Sequence, residues 1–299
     1  RAVKIVSVDT DEEGKHYQRE YEGVEQYEPI SREHVGLVDI LQVGLQEDQG
    51  FFYYVMELAD DCEKGQDIDP ESYTPRTLQH ELKNRGNLPF DECVTVVRAL
   101  AEGLAFLHSR NLVHRDIKPT NIIMVNGLWK YADTGLVTDA DAEKTQVGTP
   151  GYLPPEGSGK PAADIFSMGK VFYQICTGME SGQFPGLPAG FPGVNDPLFQ
   201  RLNGIYLKAC EYNLESRYKS ATEIINELAD PNGPVDKRQK RTTLVTGFVA
   251  LTIGFLIIWG WNQRNEMPDA KKDGDTQGKI AKKGLKNTMP GTLADYTDG

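Results

Sequence analysis

The feature that most constrains how this chain can fold is a change of apolar period across residues 59–77. Ahead of it, short apolar runs at residues 2–8, 37–44 and 51–57 read as strands, with one helical segment at residues 16–28. Behind it, residues 76–84 and 90–109 place apolar side chains at helical spacing, among them Val94, Val97, Leu100, Leu104 and Leu107. Residues 163–178, ADIFSMGKVFYQICTG, repeat that spacing at Ile165, Met168, Val171, Phe172 and Ile175; this is a core helix, with Asp164 near its start, to which no chemistry is assigned. The transition itself, ADDCEKGQDIDPESYTPRT, is acidic and holds two prolines, as a surface insertion between two structured halves would. A sheet-rich part followed by a helical part predicts an α+β fold of two lobes, a small mostly β lobe over residues 1–58 and a large mostly α lobe over 78–229, with a ligand-binding cleft between them.

Beyond this body, residues 230–241 form a basic linker, and residues 242–261 lie in TTLVTGFVALTIGFLIIWGWNQ, a run without a charged residue. About 20 apolar residues span a hydrocarbon core, so one C-terminal transmembrane helix is expected, with Trp259 and Trp261 at an interface. Lys237, Arg238, Lys240 and Arg241 would set the body on the cytoplasmic side. Residues 262–299 lack apolar periodicity and are expected to be a disordered tail. The chain opens on Arg1 within a strand-like run, without a signal peptide, so an N-terminally truncated sequence is expected. A net charge of −12 argues against nonspecific nucleic-acid binding and suits a protein substrate that is basic or neutral around its target residue. Cys62, Cys93, Cys176 and Cys210 are widely spaced, which predicts inert core thiols in a reducing compartment and neither disulfides nor a zinc site.

Two short stretches carry chemistry. HRDIKPTN (residues 114–121) places a carboxylate at Asp116, a cation at Lys118 and an amide oxygen at Asn121 in one loop. Phosphoryl transfer calls for that trio: an acceptor for the hydroxyl proton, a charge beside the phosphoryl group and an oxygen ligand for a metal. The second stretch, Asp133-Thr134-Gly135 in KYADTGLV, can be spelled two ways. It matches the catalytic triplet of aspartic proteases, but those need a second triplet or a small dimeric all-β chain, and this chain has one triplet and a helical second half. The other spelling resembles the metal-binding Asp-Phe-Gly turn of protein kinases with its Phe replaced.

HRDIKPTN resembles the catalytic loop of protein kinases, and the Lys two residues after its Asp is the serine/threonine form. The resemblance extends over nearly all of residues 1–229 and is closest to membrane-anchored, eukaryotic-like (Hanks-type) bacterial serine/threonine kinases. It implies ATP and Mg²⁺ as cofactors. Lys4 in AVK resembles the phosphate-contacting Lys, and Glu20 in YQREYEGV its paired Glu. FFYYVMELA resembles the strand entering the hinge, with Met56 as gatekeeper, the backbones of Glu57 and Ala59 bonding adenine, and Ala2 and Ile123 enclosing its ring. Asp133, 17 residues after Asp116, stands where the family carries its magnesium ligand, with Asn121 as the second. GTPGYLPPE (residues 148–156) resembles the substrate-docking loop; there Thr149 would bond Asp116 and Lys118, and Glu156 would pair with Arg217.

Two departures from the family pattern bear on activity. Thr134 replaces a packing Phe, and no glycine-rich phosphate loop precedes Lys4. They favour the alternative of a pseudokinase or nucleotide-binding scaffold; the intact polar set favours a kinase. Arg115 beside the catalytic Asp implies control by an activation-loop phosphate, with Thr145 preferred over Thr138 and self-association as the route to autophosphorylation.

Overall fold

A computed structural model describes residues 1–7, 15–133, 137–139 and 148–229. Thr134, Thr145, the linker, the expected membrane helix and the tail lie outside the described residues. Among the described residues no helix is long and apolar enough to cross a membrane.

The small lobe is a three-stranded antiparallel sheet with one helix. Strands β1 (Ala2–Ser7), β2 (Ile40–Gln46) and β3 (Phe51–Met56) take the order β1-β3-β2. The register pairs Ala2 with Met56 and Lys4 with Tyr54. Alternation along β1 exposes Val3 and Ile5 at 59% and 66% and turns Lys4 inward on the other face, the period-2 consequence of a pleated strand. Helix α1 (Lys15–Ser31) packs on this sheet through Val24 and Tyr27, both fully buried, and Tyr17 and Tyr21 meet the edge of Phe52. The segment expected to begin the second strand at residue 37 does so only from Ile40, because Leu37 and Val38 run beside the large lobe instead: Leu37 bridges Tyr131, and the Val38 amide donates to the Tyr131 carbonyl at 3.0 Å. Apolar content alone cannot say which sheet such a run joins.

In the large lobe, α2 (Leu78–Arg85) starts on Thr77, whose hydroxyl accepts from the His80 amide. Helix α3 (Phe90–Ser109) buries Val97, Leu100, Leu104 and Leu107 as the spacing predicts, with Cys93 and Val96 also buried and Val94 only partly so. Helix α4 (Pro161–Thr177) is enclosed from Ala163 to Thr177 and ends on Gly178 in the left-handed region. It lies against α5 (Pro197–Ala209), and α6 (Ala221–Ala229) packs on α3. The short pairs β4 (Leu112–Val113) with β7 (Thr138–Asp139) and β5 (Ile122–Val125) with β6 (Leu128–Tyr131) carry the chemistry-bearing segments. The β5–β6 connection is Asn126-Gly127, both at positive φ, the turn whose twist suits a two-residue hairpin.

The acidic stretch 59–77 is more firmly built than a surface insertion. Asp60 and Asp61 are both buried, and the Asp61 carboxylate accepts from the amides of Glu63, Lys64 and Thr74, closing the loop on itself. Of the cysteines, Cys93, Cys176 and Cys210 are core thiols, but Cys62 lies in this loop, partly exposed and in contact with His80 on α2. The expectation of four core thiols fails there because the partner comes from an element 18 positions along.

Candidate active site

HRDIKPTN forms the loop between β4 and β5, and its shape is set from α4. Asp164, 2% exposed in an otherwise apolar helix, accepts from the amides of His114 at 2.7 Å and Arg115 at 2.9 Å, and from His108 Nε2 at 2.9 Å. Burial alone would raise the Asp164 pKa; the His108 hydrogen bond and the other polar neighbours outweigh it and hold it lowered. Burial lowers the pKa of His114 and keeps its imidazole neutral. With two consecutive amides tied down, Arg115 takes a positive φ of 69° and Asp116 is delivered to the surface of the cleft.

Asp116 is held on every side. Its Oδ1 accepts from Thr149 Oγ1 at 2.7 Å, and its Oδ2 accepts from Lys118 Nζ at 2.7 Å and Asn121 Nδ2 at 2.8 Å. Lys118 also donates to Thr149 Oγ1 at 2.8 Å, so one hydroxyl stands between the carboxylate and the ammonium. Burial opposes ionisation of Asp116, yet its bonds to Lys118 and Thr149 prevail and its pKa is lowered. It is therefore an ionised acceptor that already binds an alcohol.

Lys4 reaches into the same cleft from β1, with Nζ 2.6 Å from Glu20 Oε1 on α1 and 2.8 Å from Asp133 Oδ1 after β6. Burial would lower its pKa, but Tyr54, Asp133 and Glu20 raise it overall, so the ammonium keeps its charge. Asp133 itself sits at φ 55°, a strained position for a non-glycine residue. Asn121 spends its amide hydrogens on the Asp116 carbonyl at 3.0 Å and on Oδ2, which leaves its side-chain oxygen as an acceptor. Asn121 and Asp133 thus offer an amide oxygen and a carboxylate, a hard-oxygen pair that fits Mg²⁺ sharing its shell with phosphates. No cluster of three or more His, Cys, Asp or Glu residues suited to a metal occurs among the described residues.

The expected adenine-facing residues also converge. Ala59 and Ile123 share a small buried apolar cluster with Val38, Val125 and Ala132; Met56 packs against it, and Ala2 is the cross-strand partner of Met56. The Glu57 carbonyl and Ala59 amide form no hydrogen bond among the described residues, although the Glu57 amide and Ala59 carbonyl do. On the other side of Asp116, Glu156 pairs with fully buried Arg217, whose guanidinium also donates to the Ala162 carbonyl at 2.8 Å. The proposed residues thus gather in three groups: Asp116 with Lys118, Asn121 and Thr149; Lys4 with Glu20 and Asp133; and Ala59 with Ile123 and Met56. Asp164 and His114 were missed as functional positions; an isolated acid in a buried helix was the available signal. Of the two candidate phosphorylation sites, Thr138 lies in β7, paired with Val113.

A two-lobed chain with an ionised Asp, a Lys and an Asn in one loop, facing a Lys–Glu pair across a cleft, has the build of a phosphotransferase of the protein kinase class. The family profile described as protein kinase domain matches residues 1–184, and the chain belongs to that family. It is 27% identical over 227 residues to a probable serine/threonine-protein kinase of Clostridium perfringens, covering 68% of this chain and 31% of that protein. It is 31% identical over 179 residues to another from Clostridium acetobutylicum, 52% of this chain and 27% of that protein. Serine/threonine-protein kinase PknL of Mycobacterium tuberculosis shares 39% identity over 112 residues, 34% of this chain and 28% of PknL. The chain spans about a third or less of the length of these relatives.

Proposed function

We propose that this chain is the catalytic part of a serine/threonine protein kinase that moves the γ-phosphate of ATP to serine or threonine hydroxyls of protein substrates. One observation carries the reading: Asp116 is ionised and already holds an alcohol, with Thr149 Oγ1 donating to Oδ1 at 2.7 Å beside Lys118. A substrate hydroxyl would be oriented in the same way, its proton passing to Asp116 as its oxygen attacks phosphorus. Lys118 would stabilise the transferring group. Lys4, held by Glu20, would bind the nucleotide phosphates, and Asn121 and Asp133 would hold Mg²⁺, which neutralises phosphate charge when bound. The net charge of −12 favours substrates that are basic or neutral around the target.

The test is transfer of radiolabelled phosphate to a basic protein substrate, with wild type and Asp116→Asn compared in a chain that includes any upstream sequence. Loss of about 10²–10⁴-fold is expected on removing a positioned base, with ATP binding retained. Equal incorporation by both would sink the assignment, and ATP binding without transfer by wild type would make the chain a nucleotide-binding scaffold.

Two further elements belong to this proposal. Residues 242–261 would anchor the kinase on the cytoplasmic face of a membrane, supported by their freedom from charge. The full chain should then sediment with membranes through carbonate washing, and a chain ending at residue 241 should not. Thr145 would be phosphorylated between associated copies, its charge meeting Arg115; mass spectrometry after incubation with ATP reads this directly.

A further inference from the structure

The connection between the lobes, residues 57–60, is fastened to the large lobe by two carboxylates that the transfer chemistry does not use. Glu57 supplies a backbone group to the adenine-facing edge, but its side chain turns the other way. Its Oε2 accepts from Lys130 Nζ on β6 at 2.6 Å and from the Asp39 amide at 3.0 Å, and the Lys130 side chain is only 8% exposed. Three residues on, Asp60 is 7% exposed and divides its oxygens between the two amides of the β5–β6 turn: Oδ1 accepts from Asn126 and Oδ2 from Gly127, each at 2.9 Å. Its backbone adds a third link, the amide donating to the Met124 carbonyl at 2.7 Å and the carbonyl accepting from the Arg76 amide at 2.8 Å.

Apart from the Asp39 amide, these attachments fall on one hairpin or on the segment that bridges it at Thr77–Ile123. That hairpin starts at Ile122, directly after Asn121, and ends at Tyr131, two residues before Asp133; Ile123 within it belongs to the apolar cluster beside Ala59. The spacing between the adenine-facing backbone and the pair of oxygen ligands for metal is therefore set through this hairpin. We propose that Glu57–Lys130 and Asp60 with the Asn126-Gly127 turn form a two-point clamp that fixes the lobe connection for nucleotide binding. The proposal rests on the kinase reading and deepens it. Both carboxylates are positioning residues: they act through the backbone between them, which recognises a ligand well only if it is ordered before the ligand arrives. Asp60 is buried although the turn it holds is exposed, so its carboxylate gives up two hydrogen bonds on leaving the amides with little water on its own side to replace them.

The test uses Asp60→Ala, Asp60→Asn and Glu57→Gln in the full chain. For each, ATP affinity with Mg²⁺, the KM for ATP, the KM for a basic protein substrate, kcat, and hydrogen exchange at the Asn126 and Gly127 amides are measured. Asp60→Ala should raise the Kd and KM for ATP about tenfold and speed exchange at both amides, with kcat at saturating ATP and the KM for protein substrate within about twofold of wild type. Asp60→Asn keeps one acceptor and sets an amide donor against a donor, so it should lie between wild type and Asp60→Ala. Glu57→Gln should weaken ATP binding with exchange at Gly127 unchanged. If Asp60→Ala does not fold, Asp60→Asn decides. Faster exchange at Gly127 with wild-type ATP affinity overturns the clamp, as does an equal fall in kcat and in both affinities, which would mark a general brace. Wild-type protein that binds no ATP defeats the kinase reading and the clamp together; wild-type binding with an unaltered Asp60→Asn defeats the clamp alone.

Discussion

Thr149 does with one hydroxyl what two residues would otherwise have to do. It donates to Asp116 at 2.7 Å and accepts from Lys118 at 2.8 Å, so it keeps a carboxylate and an ammonium in register while leaving both charged. Thr149→Ala should therefore lower kcat by about tenfold, the worth of a charge-assisted hydrogen bond, while Thr149→Ser should restore most of the rate because the hydroxyl returns. Steady-state kinetics with saturating ATP separates the two, and a Ser variant as slow as Ala would show that the methyl group matters instead. The role of this residue was readable from GTPGYLPPE together with HRDIKPTN, since both are local strings of characteristic spelling. Asp60 and Lys130 were not readable in that way. Nothing in ELADDC separates Asp60 from Glu57 and Asp61 until the hairpin turn arrives above it, 66 positions later in the chain.

At the scale of elements, the catalytic loop and α4 form one unit through Asp164. The unit has an acid limit whose sign follows from its groups. The pKa of His114 is lowered from the ordinary 6.5, so the folded state resists a proton that the unfolded chain accepts. Stability from this source is present above pH 6.5 and declines as pH falls through that value toward the lowered one. Asp164 is lowered from 3.8, so its contribution is present above 3.8 and is lost as pH falls further. Urea unfolding across this range should show a first decline beginning near 6.5 and a second below 3.8, with Asp164→Asn reducing the second, to which the lowered Asp116 also contributes. The contact between α4 and α5 depends on Gly169: a Cβ there would come within 2.8 Å of Ala209 Cβ and Cys210 Sγ. Gly169→Ala should cost about 1–3 kcal/mol by overpacking, read as a lower melting temperature, despite the better helix propensity of Ala. The helical spacing of residues 163–178 located α4, but its neighbour at Gly169 is a matter of packing.

For the molecule as a whole, Arg217 places a charge deep in the core, its side chain fully buried against Glu156 and the Ala162 and Glu211 carbonyls. Arg217→Met leaves Glu156 without its partner and those carbonyls without a donor, and should destabilise the described body by about 3–5 kcal/mol in urea unfolding. A smaller effect with activity intact would mean that the segment 148–156 is held by other contacts. Sequence alone determined the order of elements and the chemistry of the reacting groups, because strand and helix periods and the loop spellings are local properties of consecutive residues. Through family resemblance it also named Lys4 and Glu20 as a pair and Asp133 as a metal ligand, but not the contact of Asp133 with Lys4. What only the tertiary structure decided is everything that depends on two distant segments meeting: that Leu37 and Val38 leave the small sheet for Tyr131, that Asp164 shapes the loop around Asp116, and that Glu57 and Asp60 fasten the lobe connection to one hairpin. A carboxylate spells the same whether it faces water or two backbone amides, and only the fold determines which groups lie within hydrogen-bonding distance of it.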